Sequence, residues 1–495
     1  MKYTSTRNSS VSVDSAYAIY HGISEDGGLF VPCEIPEIDD LEQLASLDYC
    51  GRAKAVLSRF LTDFTDEELD LCVSGAYLSG RFDGRTGCAP VVSPEDGNFI
   101  LELWHGPTSA FKDMALQILP RLLTVAAKKT GEGKEICILV ATSGDTGKAA
   151  LEGFKDVEGT KIMVFYPENG VSPMQKLQMT TQEGNNVNVC AIKGNFDDAQ
   201  TGVKRIFTDE QTKKVLAENG KVFSSANSIN WGRLVPQIVY YVSAYLDVKE
   251  KTGADKVNIV VPTGNFGNIL AAYYAMKMGV PVGKLICASN RNNILTDFIK
   301  TGVYDRNRDF YTTISPSMDI LISSNLERLL YHMSGSDAEK VKGWMSELNE
   351  KGCYTVDEQV KNDISELFYA SCCDDELTKK TIGELYEKTG YLCDTHTAVA
   401  VNACHEYRKE TGDNTPCIIA STASPFKFAS AVLEAVGGST ENLNEFEKLD
   451  VLSEKTGVEI PAPLCGFDKK EIRFKDSCTG ETMRAKVLDA LGIKE

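Results

Sequence analysis

The sequence is short of positive charge, of histidine and of long apolar runs, and each shortage argues against a class of function. Its 52 basic and 70 acidic residues give a formal net charge of −18, which disfavours binding to nucleic acids or to anionic membranes. The five histidines are dispersed and the fifteen cysteines lack the paired spacing of a zinc site, so we expect no metal. No run approaches the ~20 apolar residues that cross a bilayer.

The polar stretch from Met1 to Arg7 carries no apolar signal region. An odd number of scattered cysteines is typical of thiols that stay reduced. We therefore expect a soluble, cytoplasmic protein without nucleic-acid or membrane partners.

A chain of 495 residues with 42% hydrophobic content is long enough for several domains. A turn signal at Asp26-Gly27-Gly28 and a capping box from Thr65 to Glu68 predict a small, mainly helical N-terminal domain over residues 1–95. Residues 96–495 would then form the catalytic region.

Strand, turn, helix and strand follow one another from Ile136 to Ile192 and again from Val257 to Ala288. This order predicts an α/β fold with parallel sheets covered by helices. We expect a smaller α/β lobe, inserted at about residues 130–245, beside a larger lobe. A charged segment at about residues 337–388 is predicted to be a helical decoration.

One lysine, Lys112, stands among small, hydroxylated and aromatic residues in the stretch Leu103–Asp113, just before a helix-like run. A partly desolvated pocket would depress the pKa of such an amine and make it a nucleophile. Taken alone, the stretch fits an ordinary solvated surface lysine better than a catalytic one, so the loops downstream must decide.

Four further segments have the composition of ligand-binding turns. The lysine-free loop Pro262–Asn268 joins a strand to a helix and suits a phosphate held by backbone N–H groups. The loop Thr142–Gly147 suits a carboxylate, although an ordinary helix cap has the same composition. Ser421-Thr422 ends a buried strand, where ligands of α/β sheets gather. The segment Ser225–Arg233 offers a guanidinium for a second anion, or a capped helix with a surface arginine.

In this order, the motifs resemble those of the long-branch threonine synthases of fungi and many bacteria. These enzymes belong to the fold-type II family that depends on pyridoxal 5′-phosphate. The resemblance runs nearly from end to end and includes segments that generic members of the fold-type lack, namely Lys2–Arg7, Asp26–Leu29, Phe196–Asp198, Ser225–Trp231, Ser315–Asp319 and Ser324–Arg328.

The resemblance implies two open α/β lobes like those of the tryptophan synthase β-subunit, and it assigns roles to site residues. Lys112 would bind the cofactor covalently and move protons. The cofactor phosphate would be held by Gly264, Asn265, Phe266, Gly267 and Asn268. Thr422, or as second choice Ser421, would face the pyridine nitrogen. The substrate carboxylate would be received by Ser143, Gly144, Asp145 and Thr146, and the substrate phosphate by Asn227, Ser228 and Arg233.

The implied reaction converts O-phospho-L-homoserine and water into L-threonine and phosphate. The alternatives are a threonine synthase-like phospholyase that releases a keto acid, a serine/threonine dehydratase, and a catalytically silent binding protein. Two residues depart from the family pattern. Asp145 stands where many relatives have asparagine, and Thr395 stands where the family pattern has proline. We expect a monomer, with a dimer as the alternative.

Overall fold

The computed structural model describes residues 1–78, 80–84, 87–131, 133–142, 144–169 and 171–494. In those ranges, no helix combines the length and the apolar character that crossing a membrane requires. The first half of the chain forms β1 (Tyr3–Ser5), β2 (Asn8–Val13), α1 (Ser15–His21), β3 (Phe30–Pro32), α2 (Leu41–Ala45), α3 (Tyr49–Phe60), α4 (Asp66–Tyr77), β4 (Val91–Glu95), β5 (Asn98–Glu102), α5 (Lys112–Leu116), α6 (Leu119–Lys129), β6 (Glu135–Ala141), α7 (Asp145–Phe154), β7 (Thr160–Pro167), α8 (Pro173–Thr180), β8 (Val187–Ile192), α9 (Phe196–Thr208), α10 (Glu210–Glu218) and β9 (Lys221–Ser224).

The second half begins with the long buried helix α11 and ends on a short strand and helix. Its elements are α11 (Trp231–Thr252), β10 (Val257–Pro262), α12 (Gly267–Lys277), β11 (Val282–Ser289), α13 (Ile294–Thr301), β12 (Val303–Asp305), α14 (Leu326–Met333), α15 (Ala338–Lys351), β13 (Cys353–Thr355), α16 (Glu358–Leu367), β14 (Phe368–Cys372), α17 (Asp375–Thr389), α18 (Thr395–Thr411), β15 (Cys417–Ser421), α19 (Ala429–Ala435), α20 (Glu445–Thr456), β16 (Ser477–Cys478) and α21 (Met483–Ala490).

A six-stranded sheet with the strand order β14-β11-β10-β15-β5-β4 forms the larger lobe. Five of its strands are parallel, and only β4 runs antiparallel to its neighbour β5. Strands β10 and β15 are buried along their whole length, as expected for parallel strands covered by helices on both faces. The carboxyl ends of β5, β10 and β15 therefore meet at one edge of the sheet.

The smaller lobe is a fully parallel sheet with the order β16-β8-β7-β6-β9. Its central strands β6 and β7 consist mainly of aliphatic and aromatic residues that pack beneath the covering helices. The α/β class with two parallel-sheet lobes, as the sequence predicts, is confirmed.

The N-terminal region combines helices α1 to α4 with a small antiparallel sheet of β1, β2 and β3, so it is less purely helical than predicted. Strand β4 pairs with β5 in the large sheet, and the boundary expected at residue 95 therefore falls inside a hairpin. Residues 337–388 are also not purely helical, because β14 is the edge strand next to β11.

The limits expected for the smaller lobe also need correction. Its strands β6 to β9 span residues 135–224, but β16 joins the same sheet from near the C-terminus. Helix α11, whose first part lies within the expected range of 130–245, packs against α12, α3 and α5 instead.

Candidate active site

The loop that follows β5 presents Lys112 at the first position of α5. The carboxylate of Asp113, fully buried, accepts hydrogen bonds from the backbone N–H and the hydroxyl of Thr108, both at 2.8 Å. Gly106 makes this turn possible, because a Cβ there would lie 2.6 Å from the Asp113 side chain. Burial raises the pKa of Asp113 to about 7. The lysine is thus fixed at its base by a compact, internally bonded turn.

The amine of Lys112 lies 3.4 Å from the hydroxyl of Ser317, to which it donates a hydrogen bond. Burial lowers the pKa of Lys112 to about 8; Asp145 opposes this effect, whereas the charges of Lys427 and Arg233 add to it. A lysine with this pKa is partly neutral near pH 7.5, as a nucleophile or a proton acceptor must be.

The segment after β15 is bound to the lysine loop by backbone hydrogen bonds. Phe111 N–H donates to the carbonyl of Thr422 at 2.8 Å, and Ser424 N–H donates to the carbonyl of Ser109 at 3.1 Å. The hydroxyl of Ser421 accepts from Trp104 Nε1 and from Thr397. These two bonds hold the Ser421 hydroxyl in place, whereas the Thr422 hydroxyl has no partner among the described residues, so Thr422 is the better candidate for facing a cofactor ring beside Lys112.

The loop between β10 and α12 is tied down through its carbonyl groups. The Gly264 carbonyl accepts from the Ser323 hydroxyl at 2.7 Å, and the Asn265 carbonyl accepts from the backbone and side-chain N–H groups of Asn325. In a trans peptide the N–H points opposite to the carbonyl, so the next N–H groups face the other way. Together with the uncapped first turn of α12 they form a cradle for an anion.

Two features of the cradle depend on particular residues. Phe266 adopts a left-handed conformation, with φ of 62°, which turns the chain into α12. The side chain of Asn268 is directed toward α11, where its Oδ1 accepts from the hydroxyls of Tyr240 and Tyr241 at 2.6 Å. Its Nδ2 is buried and has no hydrogen-bond partner among the described residues, so Asn268 can offer a phosphate both its backbone N–H and a side-chain N–H.

A buried pair, Asp394 and His396, supports the Lys112 partner Ser317. His396 Nδ1 lies 2.7 Å from Asp394 Oδ2, and His396 Nε2 accepts from the backbone N–H of Ser317 at 3.1 Å. Since Nε2 is an acceptor, Nδ1 carries the proton and donates it to the carboxylate. The pair holds the 3₁₀ turn Pro316–Met318 against the active site.

The turn between β6 and α7 is organised by Thr142. Its hydroxyl accepts from the N–H groups of Gly144 and Gly147, both at 3.1 Å, and donates to the carbonyl of Gly144. The N-cap residue Gly144 has no side chain to cap α7, and Thr142 takes up the N–H of Gly147. The N–H groups of Asp145 and of the partly exposed Thr146 are left for a carboxylate. Ser143, which the sequence assigns to the same turn, lies outside the described residues.

Asp145 begins α7 and forms a buried ion pair with Lys427. The two charged groups are 2.8 Å apart, with side-chain exposures of 5% and 4%, which excludes water from the contact. Although burial raises the pKa of Asp145, the charges of Lys427 and Lys112 lower it to about 2. Asp145 is therefore an ionised group with a partner of its own, rather than a free contact for the substrate.

Arg233 lies in the first turn of α11 and is 4% exposed. Its Nη1 donates to the carbonyl of Ala226 at 2.7 Å, while its buried Nε has no hydrogen-bond partner in the part of the chain that the structure describes. Within the described ranges, no carboxylate pairs with this guanidinium, and burial lowers its pKa to about 10. A buried cation without a counter-ion is a site for an anion. The exposed Asn227 and the partly exposed Ser228 lie just before the helix.

Comparison with known proteins agrees with this geometry. Family models match residues 2–77 (threonine synthase N terminus), residues 88–358 (pyridoxal-phosphate dependent enzyme) and residues 397–466 (threonine synthase, C-terminal); the second covers more than half of the chain. Threonine synthase of Saccharomyces cerevisiae is 38% identical over 481 residues, which cover 92% of each protein. The chain belongs to the threonine synthase family of pyridoxal-phosphate-dependent enzymes.

A solved structure and a longer relative place the chain within this family. The crystal structure of threonine synthase with bound pyridoxal phosphate from Brucella melitensis superposes with a TM-score of 0.88, at 36% identity and over 99% of both chains. Human threonine synthase-like 1 is 41% identical over 434 residues, which are 85% of this chain but only 57% of the human protein. The chain thus spans less than two thirds of the length of that relative.

The residues of the family's cofactor site fit pyridoxal 5′-phosphate, the cofactor of this threonine synthase family member. Lys112 has the depressed pKa that covalent attachment requires. The N-terminus of α12 with its tied carbonyls suits the phosphate ester, and no lysine is needed because that ester is never cleaved. A hydroxyl at Thr422, instead of a carboxylate, suits an unprotonated pyridine nitrogen.

Several contributors to this threonine synthase family site are not evident from the sequence. Lys427 follows the predicted Ser421-Thr422 segment but looks like an ordinary surface lysine. Asp394 and His396 look like a helix start, and Ser317 lies in a motif that the resemblance left without a role. These residues share one feature: each lies at the end of a strand or a helix near the same edge of the sheet, where ligands of α/β proteins bind. That position is the signal that could have identified them.

Proposed function

We propose that the chain converts O-phospho-L-homoserine and water into L-threonine and phosphate. The observation that carries the proposal is Arg233, a buried guanidinium without a carboxylate partner among the described residues. Its positive charge helps to lower the pKa of Lys112. The cradle at the start of α12 would hold the cofactor phosphate, so this second anion site implies a substrate with a phosphate of its own. A dehydratase for serine or threonine needs no such site.

In the proposed reaction, Lys112 would hold the cofactor covalently and would also move protons at the substrate. When bound, the cofactor supplies an electron sink that delocalises the charge left at Cα. The neutral amine of Lys112 would take the Cα proton. The hydroxyl of Ser317, 3.4 Å from that amine, keeps it directed into the site.

The other residues orient the substrate. The uncapped N–H groups at the start of α7 would bind the α-carboxylate, with Gly144 and Thr146 in the turn. Arg233, together with Asn227 and Ser228, would bind the γ-phosphate and stabilise its departure as an anion. Because its pKa of about 10 lies above physiological pH, the guanidinium keeps its charge throughout.

We place the reaction in the cytoplasm and assign it to a monomer. The free thiols of the fifteen cysteines support a reducing compartment. The segments of one chain bring together Lys112, Thr422 and both anion sites, so the site is complete without residues from a second subunit.

A second candidate is a phospholyase that releases a keto acid instead of adding water. The two reactions would share Lys112 and the Arg233 site, and they differ only in the fate of the dephosphorylated product.

Product analysis tests the proposal. The holoenzyme is incubated with O-phospho-L-homoserine, and phosphate, threonine and keto acid are quantified. We expect equimolar phosphate and threonine, a complete loss of both in Lys112→Ala, and full activity in Lys193→Ala, a matched change at an exposed lysine. Phosphate with keto acid in place of threonine would establish the phospholyase, and no phosphate release would refute both reactions.

A further inference from the structure

The contact between Lys427 and Asp145 spans the cleft between the two lobes. Lys427 lies in the 3₁₀ turn Pro425–Phe428 after β15 of the large sheet, whereas Asp145 begins α7 on the small sheet. The ammonium is 2.8 Å from Asp145 Oδ1 and also donates to the carbonyl of Thr108 at 2.8 Å. One buried side chain thus connects the small lobe, the segment after β15 and the loop of the active-site lysine.

The position of Asp145 creates an electrostatic problem that this contact solves. An ionised carboxylate stands at the helix start whose N–H groups are expected to receive a substrate carboxylate. Two negative charges at the same helix start repel each other strongly in a site from which water is excluded. The ammonium of Lys427 neutralises Asp145 and holds its side chain toward the large lobe, so the N–H groups of the turn stay accessible.

A purely structural role explains the pair poorly. A buried ion pair gains little stability over well-packed apolar residues, because both charges lose their hydration. The pair is also not isolated in the interior, since the charges of both members act on Lys112. The pair lies between the turn expected to bind the substrate and the loop of Lys112, so its charges would affect substrate binding.

We propose that Lys427 is a positioning residue that neutralises Asp145 and fixes the turn before α7 to the lysine loop, so that this turn can bind the α-carboxylate of an amino-acid substrate. The inference rests on the proposed function only in that the substrate is an α-amino acid. It is independent of whether threonine or a keto acid is released.

The test measures amino-acid binding to the holoenzyme rather than turnover. L-Norvaline carries the α-carboxylate and an unbranched side chain but no phosphate, and its binding is followed by the change in visible absorbance of the bound cofactor. Lys427→Met, which leaves Asp145 uncompensated, should weaken norvaline binding by about tenfold to a hundredfold. Lys427→Arg, which retains the charge, should change it far less. Inhibition of turnover by inorganic phosphate, a probe of the Arg233 site, should keep its inhibition constant.

The double variant Lys427→Met/Asp145→Asn separates charge neutralisation from a general structural role. With the repelling carboxylate removed, we expect norvaline affinity to return to within about threefold of that of Asp145→Asn alone. Unchanged binding in Lys427→Met, or a double variant as weak as Lys427→Met, would overturn the proposal. If Lys427→Met does not fold, the comparison of Asp145→Asn with the double variant decides: a further loss greater than tenfold would refute neutralisation. Product analysis of the wild type tests the proposed reaction separately.

Discussion

A methyl group at Gly264 should selectively weaken cofactor binding. It would lie 2.5 Å from the carbonyl oxygen of Ser317 and 3.5 Å from the Cα of Met318. A relaxed contact between carbon and a carbonyl oxygen needs roughly 3.3 Å, so one segment must move by about 0.8 Å. The obstacle is a backbone atom, which cannot rotate away as a flexible side chain could.

Neither segment is free to move. The carbonyl of Gly264 accepts from the Ser323 hydroxyl, and the backbone N–H of Ser317 donates to His396. Overpacking of this kind costs about 1–3 kcal/mol. If the clash destabilises the cofactor-bound protein by about 2 kcal/mol relative to the cofactor-free protein, the dissociation constant for pyridoxal 5′-phosphate rises about 30-fold.

The assay is titration of the cofactor-free protein with pyridoxal 5′-phosphate, followed by visible absorbance. Gly267→Ala is the matched control in the same loop, because alanine keeps the backbone N–H. Its methyl group would meet Asn325 Nδ2 at 3.4 Å and Asn325 Cγ and Gln237 Nε2 at 3.9 Å, which are ordinary contacts. We expect less than a threefold change there. Wild-type affinity in Gly264→Ala, or an equal loss in both variants, would refute the assignment of the loss to the contact with Ser317.

Two further predictions concern stability. Burial lowers the pKa of His332 to about 4, so the unfolded chain binds a proton below about pH 6.5 that the folded chain does not bind until about pH 4. The stability that comes from keeping His332 neutral is complete above pH 6.5 and is lost as the pH falls toward 4. The free energy of unfolding should therefore be about 2 kcal/mol lower at pH 5 than at pH 7. Denaturant titrations at both pH values should show a smaller difference for His332→Gln, and an unchanged difference would contradict the argument. Gly153→Ala should destabilise the protein by about 3 kcal/mol, because its Cβ would lie 2.0 Å from the carbonyl oxygen of Leu116. Gly343→Ala, on an exposed helix face with open space around it, should raise the melting temperature slightly, and equal melting temperatures for the two variants would contradict the clash.

The sequence predicts the elements whose pattern is local and strong. The apolar run Val187–Ile192 is β8 without adjustment, and Ile136–Val140 lies within β6. Elements that depend on distant partners were missed. The two-residue strand β16 exists because it pairs with β8, almost three hundred residues earlier in the chain, and β14 is a short edge strand inside a charged helical segment. No local pattern distinguishes such strands from loops.

The candidate site likewise contains residues that the local sequence predicts and residues that it does not. The loops at 142–147 and 262–268, and Lys112 itself, have compositions that indicate ligand binding because backbone geometry is encoded by nearby residues. Ser317 meets Lys112 across 205 positions in the sequence, and Lys427 meets Thr108 across 319. Their significance comes from sheet topology, which places the ends of distant strands side by side.

The two anion sites are built by different means, and the difference matches what the proposed reaction requires. The cradle before α12 binds through backbone N–H groups that the bonds to Ser323 and Asn325 hold in place, so it suits a phosphate that stays. The Arg233 site uses a single guanidinium whose neighbours Asn227 and Ser228 reach the surface, so an anion held there can leave. The two sites are also connected. Gln237 donates to the Arg233 carbonyl, and the single O–H of Tyr240 lies within hydrogen-bond distance of both Gln237 Oε1 and Asn268 Oδ1. In the proposed reaction, a departing phosphate and a retained one would therefore lie near opposite ends of one hydrogen-bonded network.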